Sequence, residues 1–483
     1  MENLEIRQKV LSGAIWKFAE RIIAQVVSLV VSLIIARLLD PSEYGVVSIV
    51  TIFFTFANVI ISGGLNTALI QKKNVDKEDY NTVFTISFIV AVGLYALAFF
   101  LAPLISRLYE QGALAEIIRV LGLSLPIYAL KSVVCAYISA TLQFRKFFWA
   151  TIGGTIASAI VGIALAINGY GAWALVAQQL TNTLIDTIIL FCVTRLRLSF
   201  HITRNRVKGL VGYGSRIMAS SLLGVTITQT NPMFIGLKYS SASLSFYTYG
   251  KTFPDALSSS ITYTISSVLF PALSKYQDDK EALLHYTRTY IKIASFVVFP
   301  VMLGFAGVAG SFVRLFLGEK WLPAVYFMQI SCFALMFDVV AAGNGETIKA
   351  MGRSDVFLRI EIIKKSGYVI TLVLFLIFSN SPEVLAISLL VCTAIQVLVN
   401  SIPNRKLIGY KGRYQLMDLL PSFLGAVAMF VVVLLVGELK IHLVLVFALQ
   451  VLAGVAIYVL FALLTKNQSL KMIKKVIKSR KSI

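Results

Sequence analysis

Beyond residue 12 the chain settles into apolar runs of roughly 20 residues, separated by brief polar stretches that carry Gly, Pro, Asn or charge. At a rise of about 1.5 Å per residue, such a run covers the roughly 30 Å hydrocarbon core of a bilayer. Fourteen can be drawn, at 13–38, 44–70, 82–105, 117–142, 149–167, 172–193, 209–237, 243–269, 290–315, 324–348, 362–378, 383–401, 416–437 and 441–464. The pattern predicts an all-α integral membrane protein with about 14 transmembrane helices. Its expected parts are a cytoplasmic N-terminus (1–12), an N-lobe of six helices (13–195), a basic cytoplasmic linker (196–208), a C-lobe of six helices (209–403), two further helices (404–465) and a basic cytoplasmic tail (466–483).

Composition removes the soluble alternative. Of 483 residues, 58% are hydrophobic and 14% charged, with a mean hydropathy of +0.82, too little charge to cover a water-exposed globule of this size. The 44 Lys and Arg exceed the 23 Asp and Glu by a formal net charge of +21. In a soluble chain that excess would point to nucleic acid. Here it crowds alternate connections, among them Lys72, Lys73 and Lys77, then 195–208, 349–365, 405–413 and the tail from Lys466. Basic loops stay on the cytoplasmic side, so both termini are expected inside the cell membrane and no nucleic-acid partner is expected. The opposite connections, such as 168–171 and 380–382, are too short to hide a catalytic domain, and no enzyme activity is expected.

The first apolar run lacks a small-residue cleavage site and reads as a retained helix. The tail interleaves Lys471, Lys474, Lys475, Lys478, Arg480 and Lys481 with Leu470, Met472, Ile473, Val476 and Ile477, which suits an amphipathic segment on anionic inner-leaflet lipids or a solvated, topology-setting tail. Cys135, Cys192, Cys332 and Cys392 stand singly in apolar runs and read as small buried hydrophobes; His201, His285 and His442 are scattered. No metal site or resident cofactor is expected.

A faint repeat links the halves. Phe18-Ala19-Glu20-Arg21-Ile22-Ile23-Ala24 is echoed by Tyr213-Gly214-Ser215-Arg216-Ile217-Met218-Ala219, the arginines 195 positions apart. Six helices between the repeats keep both halves in the same orientation, related by an axis along the membrane normal. Charge at membrane depth costs a few kcal/mol and persists mostly where it meets water or a partner. The basic candidates are Lys17, Arg21, Lys131, Arg216, Lys251 and Lys292, and the acidic ones Glu20, Asp186, Asp255, Asp338 and Glu346. Lys17 and Lys292 are near enough to the boundary to snorkel, and Arg21 and Arg216, about 12 Å deep, could still reach headgroups. Lys251 and Asp255, four apart, could neutralise each other, as could Glu346 and Lys349. The alternative is that Arg21, Arg216, Lys131 and Lys251 line a cavity that admits a polyanion, phosphate above all, because guanidinium groups fork onto phosphate oxygens. Glu20, Asp186, Asp255 and Asp338 would then be pairing or ion-coupling acids. Pro232, Pro254 and Pro300, together with Gly63-Gly64, are places where helices are expected to loosen.

Four stretches carry a resemblance. They are Gly13-Ala14-Ile15-Trp16 with Ala36-Arg37-Leu38-Leu39-Asp40-Pro41-Ser42-Glu43-Tyr44-Gly45, then Phe246-Tyr247-Thr248-Tyr249-Gly250-Lys251, Leu269-Phe270-Pro271-Ala272-Leu273-Ser274, and Gly318-Glu319-Lys320-Trp321-Leu322-Pro323-Ala324. In that order, over essentially the whole chain, they resemble the polysaccharide transporter (Wzx-like) group of flippases, in the superfamily that also holds multidrug and toxin extruders and lipid-linked peptidoglycan precursor flippases. The likeness is greatest to exporters of acidic repeat units such as teichuronic or colanic acid. The resemblance implies a flippase that moves an undecaprenyl-diphosphate-linked oligosaccharide between leaflets by alternating access, Arg21 and Arg216 receiving the diphosphate and Lys131 and Lys251 holding acidic sugars or diphosphate further along. It also implies polysaccharide polymerase machinery as a partner. No cation site transfers from the family, so Na+ or H+ coupling stays open. The rival readings are a drug or cation extruder of the same fold, a polymerase or ligase acting on the same carrier, and a passive assembly scaffold.

Overall fold

The computed structural model describes the backbone of residues 2–62, 64–72, 75–470 and 472. Among the described residues there is no strand. Lipid offers no hydrogen-bonding partner, so a spanning backbone must satisfy its N–H and C=O groups internally, and the apolar runs accordingly become helices. Most of the expected tail lies outside the described residues.

Two compact units divide the chain, Met1–Ser245 and Phe246–Ile483. The first contains α1 (Glu2–Leu38), α2 (Pro41–Ser62), α3 (Leu65–Gln71), α4 (Lys77–Leu108), α5 (Leu114–Leu121), α6 (Ser124–Ala140), α7 (Arg145–Ile167), α8 (Ala172–Thr194) and α9 (Arg204–Lys238). Helix α10 (Ser241–Ser274) starts in this unit and continues into the second. There follow α11 (Lys280–Phe312), a π turn (Val313–Leu317), a 3-10 turn (Glu319–Trp321), α12 (Ala324–Leu335), α13 (Asp338–Ala350), α14 (Ser354–Phe378), α15 (Pro382–Leu407), α16 (Gly412–Gly437) and α17 (Leu443–Leu464).

Twelve helical stretches among the described residues are long and apolar enough to cross a membrane. The predicted segment 243–269 falls in α10, and 362–378 in α14, which carries Arg359, Glu361, Lys364 and Lys365 ahead of its apolar end; neither is among the twelve. Exposed side chains point to lipid as the solvent. Leu452 (67% exposed) and Leu464 (74%) on α17 would be an aggregation liability in water.

In the first unit α7 packs between α1 and α8, α6 lies against α4 and α8, and α9 against α2 and α3. In the second, α11 is the hub: Ile291, Ala294, Val298, Phe299, Met302, Leu303 and Ala306 are buried against α12, α13, α16 and α17. The helices run on through Pro232, Pro254 and Pro300. The described helices end and restart instead between α2 and α3, between α5 and α6, between α12 and α13, and at the π turn. Of the Gly63-Gly64 pair expected to loosen, Gly63 lies outside the described residues, and Gly64 has a packing role. A Cβ on Gly64 would lie 1.9 Å from the Gly214 carbonyl oxygen, so α3 can approach α9 this closely only through glycine.

The motif residues are joints of this scaffold. Glu43 accepts the Asp40 backbone N–H at 2.9 Å, closing the α1–α2 turn. Gly318 turns at φ +94°, and this delivers Trp321 to a fully buried site where its ring is 4.4 Å from Tyr249 and 6.0 Å from Phe246. Two of the four stretches that carry the resemblance are thus one aromatic contact in the fold. Of the cysteines, Cys332 is buried, Cys135 and Cys392 are half-buried and Cys192 is exposed, so the burial expected of Cys192 is not found. An exposed thiol on an apolar helix faces lipid and needs no cover.

Candidate functional site

In the first unit, two of the expected site residues are partners. Lys131 on α6 donates to the Asp186 carboxylate on α8 in an ion pair. The Lys131 side chain is 24% exposed and that of Asp186 only 6%. Gly154 of α7 lies against the Asp186 Cβ, where any larger side chain would hold α8 away. Lys17, with its side chain half exposed, also has a partner. Its ammonium is 2.7 Å from Glu20 and 4.6 Å from the Phe147 ring centre, and Glu20 also accepts from Thr151 at 3.0 Å. That carboxylate lies one turn along α1.

Arg21 and Arg216, the repeat pair, are both exposed on α1 and α9. Among the described residues Arg216 has no carboxylate partner. It lies two positions after Gly214, the residue that lets α3 and α9 touch.

In the second unit the expected cavity cation is outnumbered by acids. Lys251 and Asp255 on α10 are 3.8 Å apart, with Asp338 at the start of α13 near enough to interact with the same ammonium. Gln396 of α15 donates to Asp338 at 3.5 Å. With both carboxylates ionised this group carries a formal charge of −1: the Lys251–Asp255 pair that the spacing suggests is present, and Asp338 adds a second acid. The reason lies in the break between α12 and α13, which puts Asp338 on a helix start facing α10. Glu346 and Lys349 pair at 3.0 Å, as their spacing suggests.

Three groups were not singled out in the sequence. Lys72 and Arg206 converge on the buried Asp79 at 2.6 and 3.1 Å, and Arg206 also reaches Asp76 at 2.7 Å. Arg288 and Lys292 share Asp418. A buried amide cluster joins α13, α15 and α16: Asn404 donates to the Asn344 side-chain oxygen at 2.7 Å, and Asn344 donates to Gln415 at 3.3 Å. For Asp418 and Asn344 the available signal was a polar residue inside an apolar run, which shows a cost without showing its partner; the Asp79 group, Asn404 and Gln415 lie in polar connections and gave no such signal.

A multi-span, all-helical membrane scaffold with buried ion pairs on separate helices defines an integral membrane protein of the transporter type. Residues 34–326 match the model of the family described as "Polysaccharide biosynthesis protein", and the chain belongs to that family. It is 23% identical over 368 residues to the lipopolysaccharide biosynthesis protein WzxC of Escherichia coli (strain K12), covering 75% of this chain and 74% of WzxC. It is 28% identical over 417 residues to an uncharacterized membrane protein in the cps region of Klebsiella pneumoniae, covering 82% of each, and 22% identical over 355 residues to the teichuronic acid biosynthesis protein TuaB of Bacillus subtilis (strain 168), covering 72% and 73%. In fold it is similar to the lipid II flippase MurJ in an inward closed conformation (TM-score 0.73, 16% identity, 94% of this chain and 98% of MurJ). It is less similar to an inward-facing multidrug resistance MATE transporter (TM-score 0.59, 14% identity, 79% and 95%).

Proposed function

We propose that the protein is a flippase that carries an undecaprenyl-diphosphate-linked oligosaccharide, the repeat unit of an acidic polysaccharide, across the cell membrane by alternating access. The observation that carries this reading is membership of the polysaccharide biosynthesis family across residues 34–326, with relatives named for lipopolysaccharide and teichuronic acid biosynthesis over about three quarters of the chain. The likeness to MurJ supports a fold compatible with moving a lipid-linked headgroup. Fourteen crossings with both termini in the cytoplasm, Lys-rich connections on the inside and α10 and α14 among the crossings complete the topology.

Arg216, exposed and without a carboxylate partner among the described residues, is the cation best suited to a diphosphate, and Arg21 is its counterpart by the repeat. A guanidinium binds a phosphate through two parallel charge-assisted hydrogen bonds, so its loss weakens capture rather than folding. Polymerase machinery that consumes the flipped unit is the natural partner. Coupling to H+ or Na+ would fall to Asp255 and Asp338, the acids beside Lys251.

That same excess of acid favours the second reading, an extruder of organic cations, because a cationic ligand needs carboxylates facing it. The test is translocation of a fluorescent undecaprenyl-diphosphate oligosaccharide in vesicles holding the purified protein alone, read by quenching from outside. Flipping at a rate set by protein density, competed by unlabelled lipid-linked glycan and unaffected by lipophilic cations, supports the flippase. Uptake of lipophilic cations with no headgroup movement overturns it.

A further inference from the structure

Arg288 and Lys292 lie one helical turn apart on α11 and meet a single carboxylate on α16. Asp418 accepts from Arg288 Nε at 2.7 Å and Nη2 at 2.8 Å, from the Tyr410 hydroxyl at 2.9 Å and from Lys292 Nζ at 3.2 Å. Its side chain is 3% exposed, and four donors use about all the acceptor sites a carboxylate has. One negative charge therefore holds two positive ones in place, and one positive charge is left over. The two cations line a cavity of about 500 Å3 together with Tyr414, Ser422, Lys466 and Ser469.

Lys466 adds a third cation at a telling position. It follows the end of α17 with φ +50°, the left-handed conformation that glycine adopts most readily, so the chain accepts backbone strain and places an ammonium at the cavity. The cavity thus has a formal charge of +2 around groups already fixed by Asp418. Such pre-positioned donors suit an anion with several oxygens. Its position identifies the anion further. On α11, α16 and α17 alike, the residues deeper along the same helices (Pro300, Gly304, Met429, Val433, Val455 and Tyr458) line an apolar cavity of about 530 Å3. Cations at the helix ends above an apolar recess match a lipid headgroup above its acyl chains.

We propose that this cavity binds a phosphate-bearing anion, specifically the headgroup of an anionic phospholipid in the leaflet that meets the C-terminal end of α17. This goes beyond the transport reading and does not depend on it. Bound lipid ties α11, α16 and the segment after α17 together, and it is expected to stabilise the second unit.

The test uses the full-length protein in detergent, with thermal unfolding followed as dioleoyl phosphatidylglycerol, dioleoyl phosphatidylcholine, glycerol 3-phosphate or inorganic phosphate is added. Phosphatidylglycerol should raise Tm saturably and phosphatidylcholine should not. Lys466→Gln should shift the midpoint about tenfold to higher lipid, Lys466→Glu further, and Lys292→Gln at least as far as Lys466→Gln, which is about 1.4 kcal/mol of binding per tenfold step. Because Lys466 is exposed, its variants test the site even if Lys292→Gln fails to fold. Saturation by inorganic phosphate or glycerol 3-phosphate at lower concentration than the lipid would assign the site to a soluble anion and overturn the lipid. Equal shifts with the two phospholipids, or a phosphatidylglycerol shift unchanged in both Lys466 variants, would overturn the site itself.

Discussion

Two lysines at membrane depth, one in each unit, have opposite surroundings. Lys131 has one acid, Asp186, in contact, with Gly154 admitting the approach of α8. Lys251 has two, Asp255 at 3.8 Å and Asp338 on another helix, and the Asp255 side chain is 45% exposed. A one-to-one pair that is largely shut off can only be broken, at the cost of stranding a charge. A loose group with one cation and two acids can exchange a proton, an ion or a ligand while the helices stay in place. Equal residues in equal-looking runs are therefore paired one to one, as a clamp would be, in one unit and set among two acids in the other.

The comparison breaks most decisively at Asp186. Asp186→Asn leaves Lys131 without its counter-charge and should cost about 3–5 kcal/mol, whereas Lys131→Met with Asp186→Leu should recover much of that loss. Thermal unfolding of the two variants in detergent checks it, and a single mutant as stable as the parent would show that the pair is not a clamp. At Asp338 the expectation reverses. Asp338→Asn and Asp255→Asn should leave Tm within a few degrees and abolish or slow headgroup translocation in vesicles; loss of folding with retained specific activity would make this group structural as well.

Arg216→Ala should lower translocation about tenfold at unchanged protein level, the equivalent of one charge-assisted phosphate contact. Adding Arg21→Ala should deepen the loss, and unchanged export by the double variant would remove both from the substrate path. Gly214→Val tests the α3–α9 approach: overpacking should cost about 1–3 kcal/mol without altering substrate preference. The smallest effect is expected at the exposed Arg353–Asp355 pair at the start of α14, 2.8 Å apart, where the guanidinium lowers the carboxyl below its usual range. A lowered carboxyl stabilises above its unfolded pKa, near 4, and loses that contribution as pH falls through its folded value. Because water and salt screen the pair, Arg353→Gln should leave unfolding at pH 7 unchanged, and the two proteins should differ, if at all, only at low salt.

The helical runs were legible because twenty apolar residues have no other solution in lipid. Twelve of the predicted segments correspond to stretches that meet that demand in the structure, and α10 and α14 occupy the other two. The candidate charges were legible too, since a charge in an apolar run stands out wherever it falls. Their pairing was not. Asp186 is 55 positions from Lys131, and Asp418 is 130 from Arg288. No local spacing connects them, and the contact of Lys292 with Asp418 was out of reach for the same reason. The i,i+3 and i,i+4 pairs, Glu346 with Lys349 and Lys251 with Asp255, were visible for the complementary reason that helical geometry alone brings them together.

By itself the amino-acid order determined the solvent, the helical class, the positions of nearly all the runs and the depth of each charge, because those follow from transfer free energy summed over neighbouring residues. Only the tertiary structure decided which charges cancel. The contact of Gly64 with Gly214, the break between α12 and α13, and the glycine contact under Asp186 choose which helix faces meet, and a buried charge takes its meaning from the group opposite it.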